Sequence, residues 1–155
     1  MNKNNPRFSN NISIRNKKAS YEYEFLDKYE AGMVLVGTEI KALREGKASV
    51  QEAYCFIKDD QVYVKGMSIS QYTNSSFTNH ELTRERKLLL HKSEIEKIRA
   101  KTEEKGLTIV PTKVYITARG FAKLEIAVAR GKKLFDKRDS IKKKDQDREL
   151  SRMKF

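Results

Sequence analysis

Polar and apolar residues alternate with a period of two over residues 21–26, Tyr-Glu-Tyr-Glu-Phe-Leu, which predicts a half-buried strand. The apolar run 31–36 predicts a second strand that ends at Gly37. From Thr38 the spacing becomes helical, with Thr38 as the candidate N-cap and Gly46 as the stop. Three short strand signals follow at 53–57, at 61–65 after an Asp59-Asp60 turn, and at 67–72, and then a polar loop over 73–81. Residues 83–91 carry Leu88-Leu89-Leu90 behind Arg84, Arg86 and Lys87. Ser93-Glu-Ile-Glu96 has the spacing of a capping box and predicts a helix that stops near Gly106. Two longer strands, 107–117 and 121–129, are joined by Ala118-Arg119-Gly120.

About seven strand signals and two or three helices without a βαβ rhythm predict a mainly β fold. Its expected form is a small antiparallel barrel of the oligonucleotide-binding type with two or three peripheral helices. Residues 136–155 break from this pattern. Their large apolar side chains are Ile141, Leu150, Met153 and Phe155, which draw no continuous helical stripe. Such a segment cannot offset its ordering entropy by burial, so a tail that orders only against a partner is expected. The organisation read from the chain is a flexible N-terminus at 1–11, a barrel at 12–130, and a basic tail at 131–155, disordered when free.

Charge sharpens this division. The 155 residues carry a net charge of +12. Residues 1–20 contribute +5 and residues 130–155 contribute +6, while 21–129 hold only +1. The excess therefore flanks a nearly neutral middle, and a basic tail most often meets a polyanion. Apolar runs such as Met33-Val34-Leu35-Val36 fall far short of the ~18 residues that would span a bilayer. The N-terminal Met-Asn-Lys-Asn-Asn-Pro-Arg leads into no apolar stretch, so no secretory signal and no membrane partner are expected. The lone Cys55 excludes an intramolecular disulfide and a multi-cysteine metal site. Together these features predict a cytoplasmic protein.

The sequence carries no phosphate-cradling glycine loop, no His-Glu-x-x-His and no nucleophile elbow. His80 and His91 lack a second ligand at helical spacing and read as surface or loop residues, and Cys55 in an alternating strand reads as a buried thiol. The expectation is no catalytic residue, no metal and no cofactor. Nucleic-acid features fare better. Lysines and arginines neutralise phosphates, and the tyrosines at 21, 23, 54, 63, 72 and 115 could stack on unpaired bases, although packing in the strands accounts for most of them.

Several of these segments assemble into one ordered set. Asn16-Lys-Lys-Ala19 stands ahead of Tyr-Glu-Tyr, followed by Glu30-Ala-Gly-Met-Val-Leu-Val-Gly-Thr-Glu-Ile-Lys-Ala-Leu-Arg-Glu-Gly-Lys47. Tyr54, Arg84-x-Arg-Lys-Leu-Leu-Leu90, Gly106-Leu-Thr-Ile-Val-Pro111 and Gly131-Lys-Lys-Leu-Phe-Asp-Lys-Arg138 complete it. From about residue 12 to the end the chain resembles the bacterial SsrA-binding protein family, also called small protein B. The resemblance implies an oligonucleotide-binding-type barrel that binds the tRNA-like domain of transfer-messenger RNA. It implies delivery of that RNA to stalled ribosomes for trans-translation, with the basic tail in the decoding centre and the empty mRNA channel, helical once there. Partners implied are this RNA, the small ribosomal subunit with its ribosomal RNA, and the elongation factor that delivers aminoacyl-tRNA, all met by a monomer. The alternatives are a general ribosome-associated RNA chaperone of the same fold and, from another class, a small RNA-processing enzyme.

Carried over by residue, Asn16, Lys17, Lys18, Glu30, Leu90 and Lys123 match positions at or supporting the RNA-binding face. The lysines would meet phosphates, Asn16 a base edge or sugar, and Leu90 would shape the surface. Glu30 would accept bonds from base amines or orient a lysine. Glu39, Lys41, Leu43 and Arg44 match the family's helix motif, where scaffold and RNA contact are both open. In the tail, Lys132, Lys133, Asp136, Lys137 and Arg138 match the motif implied to engage ribosomal RNA. Phe135 and Tyr21 stand where the family often has His. Phe135 keeps the ability to stack but loses a hydrogen bond.

Overall fold

A computed structural model describes residues 12–71 and 80–132. Among them the chain forms β1 (Ser13–Arg15), α1 (Lys17–Glu22), β2 (Tyr23–Met33), α2 (Gly37–Arg44), β3 (Ala48–Ser49) and β4 (Tyr54–Lys58). It continues with β5 (Gln61–Lys65), β6 (Ser68–Ile69), β7 (Arg86–Leu89), α3 (Lys92–Thr102), β8 (Leu107–Ile116) and β9 (Ala122–Gly131). Strands β4, β5, β7, β2, β9 and β8 pair antiparallel in that order and β8 returns to β4, so the hydrogen bonding closes a ring. The join is one residue pair long, Cys55 opposite Ile109. Further along β8, at Lys113 to Tyr115, β1 takes the same edge. The mainly β architecture with peripheral helices is the one the alternation predicts, its barrel taking the form of this ring.

Inward positions of the ring strands supply the core: Ala31, Val62, Val64, Leu88, Val114, Leu124, Ile126 and Val128 are buried, with Leu43 of α2 and Ile95 and Ile98 of α3 packed against them. Each of the buried Val, Leu and Ile side chains contributes roughly 1.5–3 kcal/mol on burial. A second, smaller cluster lies on the outer face of β8 and β9, where Val110 and Ala129 pack beneath Ala19 of α1 beside Tyr23 and Phe25. α1 is therefore a lid on part of the outer sheet surface.

The elements differ from the sequence expectation at their starts. Residues 16–22 fold into a helix that the alternation from Tyr21 conceals, because Asn16 caps it: its Oδ1 accepts from the Ala19 amide at 3.0 Å. The signals at 21–26 and 31–36 meet in one strand, β2, which starts only at Tyr23 and stops at Met33, short of Gly37, with a bulge between Phe25 and Asp27. α2 opens after Val36 rather than at Thr38, since the Glu39 carboxylate accepts from the Val36 amide at 3.0 Å. α3 opens after His91 in the same way, through Glu94 at 3.0 Å, two residues before the pair Ser93 and Glu96. The Asp59-Asp60 turn is a two-residue hairpin loop with both φ values positive, 50° and 60°, which matches the twist of β4 and β5.

Candidate nucleic-acid interface

Register on the outer face of β1, β8, β9 and β2 sets two rows of side chains across the strands. Arg15 lies opposite Lys113, Lys113 opposite Glu125, and Glu125 opposite Glu30. One step along, Ser13 lies opposite Tyr115, Tyr115 opposite Lys123, Lys123 opposite Gly32, and Gly32 opposite Leu89. Two bulges make these rows. The irregularity between Pro111 and Lys113 turns Lys113 outward beside Glu125, and that between Phe25 and Asp27 brings Phe25 to the same side as Lys28.

The electrostatics follow from this placement. Like charges directly opposite on a sheet repel, and the carboxylates of Glu30 and Glu125 are opposite. Lys113 reaches Glu125 at 3.5 Å and Lys28 reaches it at 3.8 Å from the other side. Glu125 thus holds two ammonium groups over the sheet without neutralising both. Each lysine also stands over an aromatic face: Lys28 Nζ is 5.6 Å from the Phe25 ring centre and Lys113 Nζ is 5.3 Å from that of Tyr115. Two recesses share this wall. One, of about 280 Å³, is lined by Arg15, Asn16, Lys17, Ser20, Phe25, Lys28, Thr112, Lys113 and Glu125, and the other, of about 260 Å³, by Lys28, Tyr29, Glu30, Lys113, Tyr115 and Glu125.

Lys17, Glu30 and Lys123 are brought together on this face, all three anticipated from the sequence. Tyr115, one of the tyrosines the sequence offered for stacking, lies on the same face; Arg15, Phe25, Lys28, Lys113 and Glu125 share it and were not anticipated. Alternation along β9 could have indicated Glu125, but the bulges that turn Phe25 and Lys113 outward leave no mark in the pattern. Asn16 is buried. Its Nδ2 donates to Val50 O at 2.9 Å and Pro111 O at 2.8 Å while Oδ1 caps α1, so its amide is committed within the protein and holds α1 and β8 in place. Lys18 is exposed and pairs with Glu52 at 2.6 Å, a hydrogen bond and charge that raise its pKa. Leu90 turns inward against the core, and Leu89 takes the outward position, 54% exposed beside Gly32.

The three polar positions of α2 separate. Lys41 is exposed. Arg44 donates to Gly120 O at 3.4 Å, tying α2 to the β8–β9 turn. Glu39 is fully buried between Arg84 and Arg86, at 2.5 Å from each. Burial would raise its carboxyl, but the hydrogen bonds from Arg84, the Val36 amide and Arg86 win and hold it below the usual range. Arg86 in turn donates to Met67 O at 2.7 Å and Leu82 O at 3.3 Å. Glu39 therefore joins α2, β7 and the approach to β7 from inside the protein.

Of the tail positions, Lys132 is anchored to α1, its amide bonding Glu22 O at 2.9 Å and its ammonium Ser20 O at 3.3 Å. Lys133, Phe135, Asp136, Lys137 and Arg138 lie outside the described residues. His80 corrects the surface reading: it is buried, bonded to Thr38 Oγ1 and Ile69 O, each at 2.8 Å. Burial pushes the Cys55 thiol far up, as a structural thiol requires.

The model of the SmpB protein family matches residues 13–154. The chain belongs to the SmpB family. An SsrA-binding protein of Cytophaga hutchinsonii is 55% identical over 145 residues, covering 94% of this chain and 95% of that one. Another from Syntrophobacter fumaroxidans is 47% identical over 156 residues, covering 99% and 96%. Among solved structures, a chain reported under "tmRNA-SmpB: a journey to the center of the bacterial ribosome" superposes with a TM-score of 0.67 at 43% identity, over 79% of this chain and 85% of that one. The SmpB match spans the ring, α1 and both cross-strand rows.

Proposed function

We propose that this protein is the RNA-binding adaptor of trans-translation: it binds the tRNA-like domain of transfer-messenger RNA and delivers it to stalled ribosomes. The carrying observation is the outer face of β1, β8, β9 and β2, where Arg15, Lys17, Lys28, Lys113 and Lys123 surround aromatic and carboxylate groups. Cations there meet phosphates and release counterions. Tyr115 and Leu89 offer flat and apolar contact to bases and sugars. Glu30 and Glu125 accept bonds from base amines, which a wholly basic face could not do. In this reading the protein is a binding protein rather than an enzyme, in keeping with its SsrA-binding relatives.

The site residues divide by task in this reading. Lys17, Glu30 and Lys123 contact the RNA, while Asn16 and Glu39 hold the elements that carry them. Lys41 and Lys18 add exposed charge at the margins. The tail from Gly131 onward occupies the decoding centre and the empty mRNA channel, using Lys132, Lys133, Phe135, Asp136, Lys137 and Arg138. The setting is the cytoplasm, with the ribosome and the elongation factor that carries aminoacyl-tRNA. Among the described residues, no helix is long and apolar enough to cross a membrane. Sequencing the RNAs that co-purify with the protein tests the proposal. One dominant transfer-messenger RNA is expected, and a broad mixture without it would overturn the reading in favour of a general RNA chaperone.

A further inference from the structure

The 280 Å³ recess is more closed than the face around it, and its lining is unlike a general phosphate track. Arg15, Lys17, Lys28 and Lys113 surround it, Glu125 is its one carboxylate, and Phe25 forms an aromatic wall. Its volume lies just under the ~300–1,000 Å³ of small-ligand pockets, too small for a helical segment and matched to one unstacked unit. Phe25 packs against Ala19, Val110 and Ala129, which hold its ring from behind, while the Lys28 ammonium stands over the ring at 5.6 Å. That lysine is 56% exposed and its carboxylate partner is a loose 3.8 Å away, so it leaves the ring at little cost. Asn16 closes the inner end with its amide already bonded to Val50, Pro111 and Ala19.

We infer that this recess receives a single unstacked nucleotide, whose base lies on Phe25 in the place of the Lys28 ammonium and whose phosphate is taken by Arg15, Lys17 and Lys113. The inference rests on the RNA-binding role proposed above and specifies one contact within it. Lys28 exchanges the ring for the phosphate chain as the base enters, so the same side chain guards the platform in the free protein and pairs with RNA in the bound one. A duplex cannot use such a pocket. An extruded base from a loop or junction of a folded RNA can, because its π-face and its backbone are both available.

The test compares full-length protein, Phe25→Leu, Phe25→Trp and Lys113→Met for binding to the tRNA-like domain over a range of salt. Melting curves show that each variant is folded. Phe25→Leu keeps apolar packing and removes the ring, so affinity is expected to fall by roughly 5- to 100-fold with an unchanged salt slope, the size of one base–aromatic stack. Phe25→Trp retains a platform and is expected to bind within threefold of the parent. Lys113→Met is expected to weaken binding and to lower the salt slope by about 0.7–0.9, the value of one phosphate. Should Phe25→Leu bind as the parent does, or Phe25→Trp fall as far as Phe25→Leu, the pocket assignment is wrong even while the parent binds the RNA. If the parent itself shows no preference for the tRNA-like domain over an unrelated hairpin, the proposed function fails instead.

Discussion

Glu39 is a carboxylate with no solvent access, and its surroundings explain why it is tolerated there. Two guanidinium groups and one amide donate to it, and Arg86 passes the remaining donors to the Met67 and Leu82 carbonyls. A carboxyl held below its unfolded pKa stabilises the fold at every pH above the unfolded value. That contribution disappears as pH falls through the folded value. Glu39→Gln leaves Arg86 buried without its counter-charge, so a loss of about 3–5 kcal/mol is expected at pH 7, read from urea unfolding. The gap between parent and variant is expected to narrow as pH falls from the ordinary glutamate value of about 4.3 through the lower folded value, where the parent's carboxyl also takes up its proton. RNA affinity of the folded variant is expected to match the parent, because Glu39 faces the core. A large fall in affinity with stability intact would make it a contact after all. The sequence matched Glu39 to the family's helix motif but left scaffold and RNA contact both open. Its role depends on Arg84 and Arg86, some 45 residues away, and local spacing carries no trace of that pairing.

At the scale of elements, the strands were largely legible because period-two alternation survives wherever one face is buried. β5 matches the expected residues 61–65 end to end, and β8 and β9 match to within one or two residues. Helix starts were less legible. Thr38 and Ser93 have good capping side chains, yet the caps fall at Val36 and His91, where Glu39 and Glu94 reach back to the chain. Tertiary demand decides this: Ile95 and Ile98 must face the core, and Glu39 must meet the arginines. Gly66 shows the same dependence. It leaves β5 with φ at 82°, and a Cβ there would stand 2.6 Å from the Glu52 carbonyl oxygen. Gly66→Ala is therefore expected to cost at least about 2 kcal/mol by urea unfolding. Gly37, at the start of α2, has open space around its Cβ position, and Gly37→Ala is expected to be neutral or stabilising by up to about 1 kcal/mol. Equal effects from the two substitutions would show that backbone geometry at residue 66 is not limiting.

At the scale of the whole molecule, the uneven charge divides the labour. A core region at +1 cannot attract RNA by its overall field. It must bind through the local arrangement in which Glu125 spaces Lys28 and Lys113 and register sets Lys123 beside Tyr115. The +6 of residues 130–155 is not needed for that arrangement, and the ring ends at Gly131, where Lys132 is fastened to α1. Removing residues 133–155 keeps this fastening and every residue of the outer face. The shortened protein is expected to bind the isolated tRNA-like domain within about threefold of the parent at 0.15 M salt, where exposed charges more than ~8 Å away are largely screened. At low salt the parent is expected to gain more than the shortened form, because the tail's cations then add long-range attraction. Peptide tagging on stalled ribosomes is expected to be lost, since the segment proposed to fill the decoding centre is gone. If binding to the isolated RNA collapses at 0.15 M salt, the tail belongs to the first interface. In that case the outer face of β1, β8, β9 and β2 is not sufficient for recognition.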